Sequence, residues 1–276
     1  LFQRLNINYM RKIFLSTIRK VGLIKFADKI KYYILLIRTS KLRHDFKSKY
    51  PDVILPPPYF LYETFNLNYF SFYEGSIETA KWLISYFEKY KKLEKLNILD
   101  WGCGPGRVIR HLPSYINDSC NYYGTDYNKK YIKWCSRNLT NINFSLNKLQ
   151  PPLDYQSDFF DVIYGISIFT HLSEKMHYAW FEDLIRVLKP GGVLFLTLHG
   201  DAFIEKLTDS EKELFRNGKL VVKGNTKEGH RTFGAFQPES FVKELIGKNT
   251  VLEHVAGKVI EGKPQQDVWI IQKTKQ

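Results

Sequence analysis

The run "NILDWGCGPGRVIRHL", residues 97–112, limits what this chain can fold into more than any other stretch. A short aliphatic segment ends in Asp100, glycines follow at 102, 104 and 106, and a helix-like pattern begins at once. A strand, a glycine loop and a helix in immediate succession belong to layered α/β sheets, whose ligands bind outside the carboxyl ends of the strands. Without side chains at Gly102, Gly104 and Gly106, a ligand can approach the backbone, and the amides of the following helix can meet an anionic group. A dinucleotide site would want G-x-G-x-x-G with a pyrophosphate resting on the turn. Here the spacing is G-x-G-x-G, and Asp100 would repel a pyrophosphate. An ammonium or a sulfonium is the better match to that carboxylate.

Strand-like and helix-like segments alternate through the body of the chain. "LNILD", "NYYGTD", "INFSL", "FDVIYGISIF" and "VLFLTLHG" read as strands, while "GRVIRHLPSYI", "KKYIKWCSRNL" and "HYAWFEDLIRVL" read as helices, with "KPGG" a turn. This alternation predicts a parallel sheet covered on both faces. Residues 201–236 read as an insertion with a helix and a hairpin around "VKGNTKEGHRTF". "QPESFVKELI" is a further helix, and "TVLEHV" and "QDVWIIQK" are two strands that close the sheet.

Charge sets the other end of the chain apart. The 276 residues carry a net charge of +13, of which residues 1–50 alone contribute +11, with Asp28 and Asp45 their only acidic groups. Within that segment Ile7, Met10, Ile13, Phe14, Ile18 and Val21 recur at helical steps, predicting one or two amphipathic helices. "YPDVILPPPYF" breaks the pattern, which places a basic helical extension at 1–50, a proline- and aromatic-rich lid with a lead-in helix at 51–93, and the main domain at 94–276. Eight aromatics between Tyr59 and Tyr73 form either a wall over a substrate or the packing of the lid. The extension has three readings: a solvated cap, a dock on anionic lipid, or a phosphate contact with RNA. No apolar run approaches the ~20 residues of a bilayer span. Cys103, Cys120 and Cys135 show neither metal-ligand spacing nor an even count, so a reducing cytoplasm and no metal are expected.

On these residues the chain resembles class I S-adenosylmethionine-dependent methyltransferases. "ILDWGCGPGR" looks like the family's first motif, a strand followed by D-x-G-x-G-x-G; residues 147–174 resemble its third and fourth motifs and residues 186–200 its fifth-strand region. The resemblance implies a Rossmann-like, mostly parallel seven-stranded sheet with helices on both faces. It also implies S-adenosylmethionine as cofactor, held by Asp100, Gly102, Cys103, Gly104, Gly106 and Ser167. Asp126, which ends "YYGTD", matches the family's acceptor for the ribose hydroxyls, although a helix N-cap is its other reading. Tyr127 would lie against adenine. Asn147 stands where many relatives place Asp or Glu, and its amide oxygen can still accept from the adenine amino group. "GRVIRHL", "LQPPL" and "SIFTHLSE" together are similar to bacterial methyltransferases that accompany surface-polysaccharide assembly.

In-line methyl transfer draws much of its acceleration from alignment and exclusion of water, and needs a base only where the acceptor holds its proton tightly. His171 follows the fourth strand, and His199 with Asp201 ends the fifth. These are the candidate bases, with support of a loop as the alternative role for His171. His230 and Arg231 lie in the insertion. After the fourth strand the chain has "GISIF", neither the Asp/Asn-Pro-Pro-aromatic run of amino-methylating nucleic-acid enzymes nor a cysteine nucleophile. The expected reaction is O-methylation of a glycan or small-molecule acceptor. Ribose methylation of RNA is the alternative, and a non-catalytic S-adenosylmethionine-binding module is the alternative of another class.

Overall fold

The computed structural model describes residues 24–116, 119–223, 227–230 and 232–275, and the chain divides into two compact units after Gly75. The periodic positions Ile7 to Val21 lie outside the described residues. In the first unit, helices α1 (Ile24–Arg38), α2 (Ser40–Lys49) and α3 (Pro58–Phe65) lead into the long α4 (Tyr69–Tyr90). Pro58 opens α3 at a position whose amide would lack a helical partner anyway. Phe46, Leu61, Tyr62, Leu67, Tyr69 and Phe72 are buried together, with Tyr32, Leu35 and Leu36 of α1 packed against them. Much of the aromatic run is therefore this unit's own core. Its polar edges are tied by Tyr62 Oη, which donates to Asp28 Oδ1 at 2.6 Å, and by Lys49 and Tyr50, which both donate to Glu74.

The second unit is a seven-stranded sheet between helices. Its strands are β1 (Asn97–Trp101), β2 (Asn121–Asp126), β3 (Asn143–Leu146), β4 (Phe160–Ile166), β5 (Leu188–Leu198), β8 (Thr250–Val255) and β11 (Asp267–Gln272), in the order β3-β2-β1-β4-β5-β11-β8. All neighbours pair in parallel except β11, which is antiparallel to β5 and β8. The two-residue period of the strands sorts the core into two layers. Leu99, Ile163, Leu194, Leu196, Trp269 and Ile271 face one way, onto α6 (Glu174–Val187) and α8 (Glu239–Ile246). Ile98, Val162, Tyr164, Phe195, Val268 and Ile270 face the other, onto the second half of α4 and α5 (Lys129–Asn138). Residues 193–198 of β5 are buried on both faces, which is why they read as an unbroken apolar run. The expected α/β sheet with seven strands is the fold observed.

Three local expectations are corrected. "GRVIRHLPSYI" is not an α-helix: the chain turns through residues 102–108 and makes only a 3-10 turn over Ile109–Ser114. Pro113, which has no amide to donate, falls inside that turn and prevents its extension. No long helix N-terminus therefore stands behind the glycine loop. β4 stops at Ile166, because Ser167 takes φ +61° and redirects the chain into a 3-10 turn at Phe169–His171. "KPGG" lies within β5 as an irregularity, with Phe160 paired to Leu188 and Val162 to Val193. The insertion holds a 3-10 turn (Asp201–Lys206), α7 (Asp209–Arg216) and the hairpin β6 (Val221–Lys223) with β7 (Gly234–Phe236). A second small hairpin, β9 (Val259–Ile260) with β10 (Lys263–Pro264), has no counterpart in the sequence reading.

Candidate active site

The order of the sheet reverses between β1 and β4, so the crevice at their carboxyl ends is where a ligand of such a sheet binds. Beyond β1 the glycine loop folds back onto β2. The amides of Gly102 and Cys103 both donate to the Thr125 carbonyl, at 2.8 and 2.9 Å. Two successive amides on one carbonyl force a sharp turn, and Gly102 and Gly104 take φ +78° and +53°, values that favour glycine. A Cβ on Gly102 would run into the Ile168 side chain, and one on Gly106 would crowd Leu139 and Cys135. Beside Gly104 no atom lies within 4 Å of such a Cβ. Bare backbone is thus presented to open space at Gly104.

Asp126 ties this loop to its neighbours. Its Oδ2 accepts from the Gly104 amide at 2.9 Å, its Oδ1 from the Asn128 amide at 2.7 Å, and its carbonyl from the Asn147 amide at 3.2 Å. The N-cap of α5 is Asn128, whose side chain accepts from the Lys130 amide; Asp126 does not fill that position. Asn147 donates through Nδ2 to the Lys148 carbonyl, and its Oδ1 is buried with no partner. Tyr127, partly exposed at the same rim, donates from its hydroxyl to the Gly229 carbonyl at 2.9 Å.

Asp100 is buried, and burial pushes its carboxyl up to about 7, with the Tyr164 hydroxyl and the Arg107 guanidinium pulling it back and Asp126 adding to the rise. The Tyr164 hydroxyl leans toward Asp100 without a hydrogen bond of good geometry. Arg107 donates to Ser76 Oγ at 3.2 Å and Thr79 Oγ1 at 3.4 Å. A carboxyl that burial holds near neutrality is favoured in its ionised form by a cation brought beside it. Cys103 is also buried, and its thiol is held well above its usual range by burial, so it stays protonated and inert. The buried acid, the orphaned amide oxygen of Asn147 and the open space over Gly104 fit a ligand with an ammonium and an amino group, as S-adenosylmethionine has. At the end of β4 the Ser167 amide donates to Thr197 Oγ1 and its hydroxyl to Gln266 Oε1.

At the ends of β4 and β5 two imidazoles are anchored alike. His171 Nδ1 lies 2.8 Å from the Phe233 carbonyl and His199 Nδ1 lies 3.0 Å from that of Ala235. A carbonyl only accepts, so each Nδ1 carries the hydrogen and each Nε2 keeps a free lone pair. Burial lowers both, His199 to about 4, and leaves them neutral at pH 7. His199 also lies on the Phe203 ring, with centroids 4.1 Å apart. Asp201 is exposed at the start of its 3-10 turn, and no hydrogen bond joins it to His199, so the structure does not bring that pair together. The Gly229 amide donates to the His171 carbonyl, and Glu228 accepts from the Ser173 amide, so residues 227–230 reach both Tyr127 and the His171 turn.

Four residues that the sequence reading did not single out stand at the site, Arg107 and Tyr164 beside Asp100 and Gln237 and His177 behind the histidine rim. Arg107 directly follows the glycine loop and Tyr164 sits in a strand, where spacing could have found them. Gln237 and His177 carry no such signal. Gln237 Oε1 accepts from the His199 amide at 3.0 Å, and its Nε2 lies within hydrogen-bond distance of the Phe169 carbonyl and of His177 Nε2. His177 is oriented in turn by Nδ1, which donates to the Ser173 carbonyl.

Residues 98–192 match the family model described as a methyltransferase domain. Among curated proteins the chain is 34% identical over 102 residues to tRNA (carboxymethyluridine(34)-5-O)-methyltransferase of Arabidopsis thaliana, covering 37% of this chain and 23% of that protein. The chain thus spans less than a quarter of the curated relative's length. Among solved structures, an S-adenosylmethionine-dependent methyltransferase from Methanosarcina mazei superposes with a TM-score of 0.56 at 19% identity, covering 69% of this chain and 98% of that one. Magnesium protoporphyrin IX methyltransferase from Synechocystis, solved with bound SAH, gives a TM-score of 0.53 at 14% identity over 88% of this chain and 99% of that one. Residues 98–192 are thus similar to a methyltransferase domain, and the sheet that carries them has the fold of the solved S-adenosylmethionine-dependent methyltransferases.

Proposed function

We propose that this chain is an O-methyltransferase that moves a methyl group from S-adenosylmethionine to a hydroxyl of a glycan or small metabolite. The observation that carries the reading is the pair of neutral imidazoles at the ends of β4 and β5, each with Nδ1 committed to a carbonyl and Nε2 open. Bound S-adenosylmethionine would supply an electrophilic methyl on its sulfonium. Asp100 would meet the cofactor's ammonium, Asp126 its ribose and Asn147 Oδ1 its adenine amino group. His171 takes the acceptor's proton at Nε2 as the hydroxyl oxygen becomes nucleophilic; His199, pushed down to about 4, is the weaker base. A second reading, an RNA hydroxyl as acceptor, is supported by the name of the curated relative, a tRNA 5-O-methyltransferase.

Thermal unfolding with S-adenosylmethionine, S-adenosylhomocysteine and NAD tests the cofactor. A ligand at 100 times its Kd adds ~2.7 kcal/mol, roughly 5–11 °C for a domain of this size. Stabilisation by the first two alone is expected; none from either would discard the reading. Release of S-adenosylhomocysteine on glycan, small-hydroxyl and RNA pools then separates the acceptors, and release with none of them would leave a cofactor-binding module. His171→Gln is expected to lower kcat about 10²–10⁴-fold with cofactor affinity unchanged. Near-normal turnover would return His171 to a structural role.

A further inference from the structure

The observations carry one step further at α1, in the first unit. Phe26, Ile30, Tyr33, Ile34 and Ile37 are 64%, 46%, 52%, 45% and 76% exposed. At roughly 100° per residue these five side chains share an arc of about 100° along the helix. Tyr32, Leu35 and Leu36, on the opposite face, pack into the unit's core. The helix is therefore apolar on the side that the described residues of its own unit leave uncovered. Lys29 and Lys31 are exposed and lie about 100° to either side of Ile30, with Lys31 Nζ also donating to Asn66 Oδ1 at 3.1 Å, and Arg38 continues the edge.

We propose that α1 docks this protein on the surface of an anionic lipid bilayer, with the Phe26–Ile30–Tyr33–Ile34–Ile37 stripe entering the acyl boundary and Lys29, Lys31 and Arg38 at the headgroups. An apolar stripe with basic edges is the pattern of a helix lying in the interface plane. Phe26 and Tyr33 suit that depth, where aromatic rings are favoured. The charge is complementary, since residues 1–50 carry +11. The same charge works against pairing this face with a second copy of itself, because two like-charged surfaces would be brought together. RNA phosphates would engage the lysines and leave the isoleucines in water. Spanning is excluded for α1, whose 15 residues reach only ~22 Å, and no described helix is long and apolar enough to cross a membrane. The inference is independent of the acceptor and of turnover.

Co-sedimentation of the full chain with phosphatidylcholine vesicles, with and without 30 mol per cent phosphatidylglycerol, tests it. Binding to the anionic vesicles that weakens as salt rises is expected, with little to the neutral ones. Ile30→Ser/Ile37→Ser should reduce partitioning at least tenfold, and Lys29→Gln/Lys31→Gln about 25-fold, since each basic group near such a surface gives about fivefold. All four positions are exposed, so an unchanged melting temperature with S-adenosylmethionine shows that the variants are folded. Equal binding to neutral vesicles, no binding, or binding untouched by either pair would overturn the proposal. So would a dimer in sedimentation velocity, or a gel shift with RNA, that the isoleucine substitutions abolish.

Discussion

Asp100 shows how one residue couples fold to function. In β1 it is carried beneath the glycine loop, where burial raises its carboxyl to about 7 although Arg107 and the Tyr164 hydroxyl oppose the rise. An ammonium ligand binds the ionised form more tightly. S-adenosylmethionine affinity should therefore climb as pH rises from 6 to 8 and level off above, and Asp100→Asn should flatten that profile and weaken binding throughout, as isothermal titration at each pH would show. An affinity independent of pH in the native protein would detach the ligand from this carboxylate. Asp126 has a double task, because its oxygens already hold the Gly104 and Asn128 amides. Asp126→Ala should weaken S-adenosylmethionine at least tenfold, by loss of ribose acceptors and by loosening of the loop. The acid at this position was legible because it ends a strand at a familiar distance from the loop. That it would also brace the glycine turn was not, since that contact joins residues 22 apart.

At the scale of elements, the rim depends on how β5, the 3-10 turn after β4 and α6 are held together. Gln237 lies just before α8, and its one buried amide group meets His199, Phe169 and His177. Gln237→Leu would strand a buried amide, carbonyl and imidazole nitrogen, each costing about 1–3 kcal/mol. A loss of about 3–5 kcal/mol is expected, with a fall of roughly 6–20 °C in melting temperature. kcat should fall as well, because both anchored histidines sit on the elements that Gln237 joins. A melting temperature within a degree of wild type would show that the network has no such role. The missing helix after the glycine loop belongs to the same scale. An apolar pattern in "VIRHLPSYI" looked helical, but Pro113 and the left-handed turn at Gly106 leave room only for a 3-10 turn. Periodicity registers which residues are buried, and Ile109 and Leu112 are buried in either geometry.

For the whole molecule, acid sensitivity follows from histidines that the fold keeps neutral. Burial lowers His111, His177 and His199 each to about 4, while in the unfolded chain each takes a proton near pH 6.5. Between those limits the unfolded state binds more protons, so stability falls as pH falls, by about 1.4 kcal/mol per pH unit for each group. Asp100 acts in the opposite sense, since its raised pKa makes the folded state the better proton binder between about 4 and 7. Three groups against one leave a net loss towards acid. Melting temperature should therefore drop steadily from pH 6.5 to 4.5, and His177→Gln should make that drop shallower; a flat profile would show that these imidazoles are not held neutral.

What the sequence determined by itself was whatever is written in short-range pattern. Alternating strands and helices imply the sheet, and D-x-G-x-G-x-G the turn at its carboxyl edge. What only the tertiary structure decided was which distant groups face one another. The hydrogen on Nδ1 of His171 and His199 is set by carbonyls about 62 and 36 residues further on. The separation of Asp201 from His199 and the exposed stripe on α1 also depend on which neighbours the packing supplies. Hydrophobic spacing reports that a face wants cover, whereas only the assembled unit shows which face obtained it.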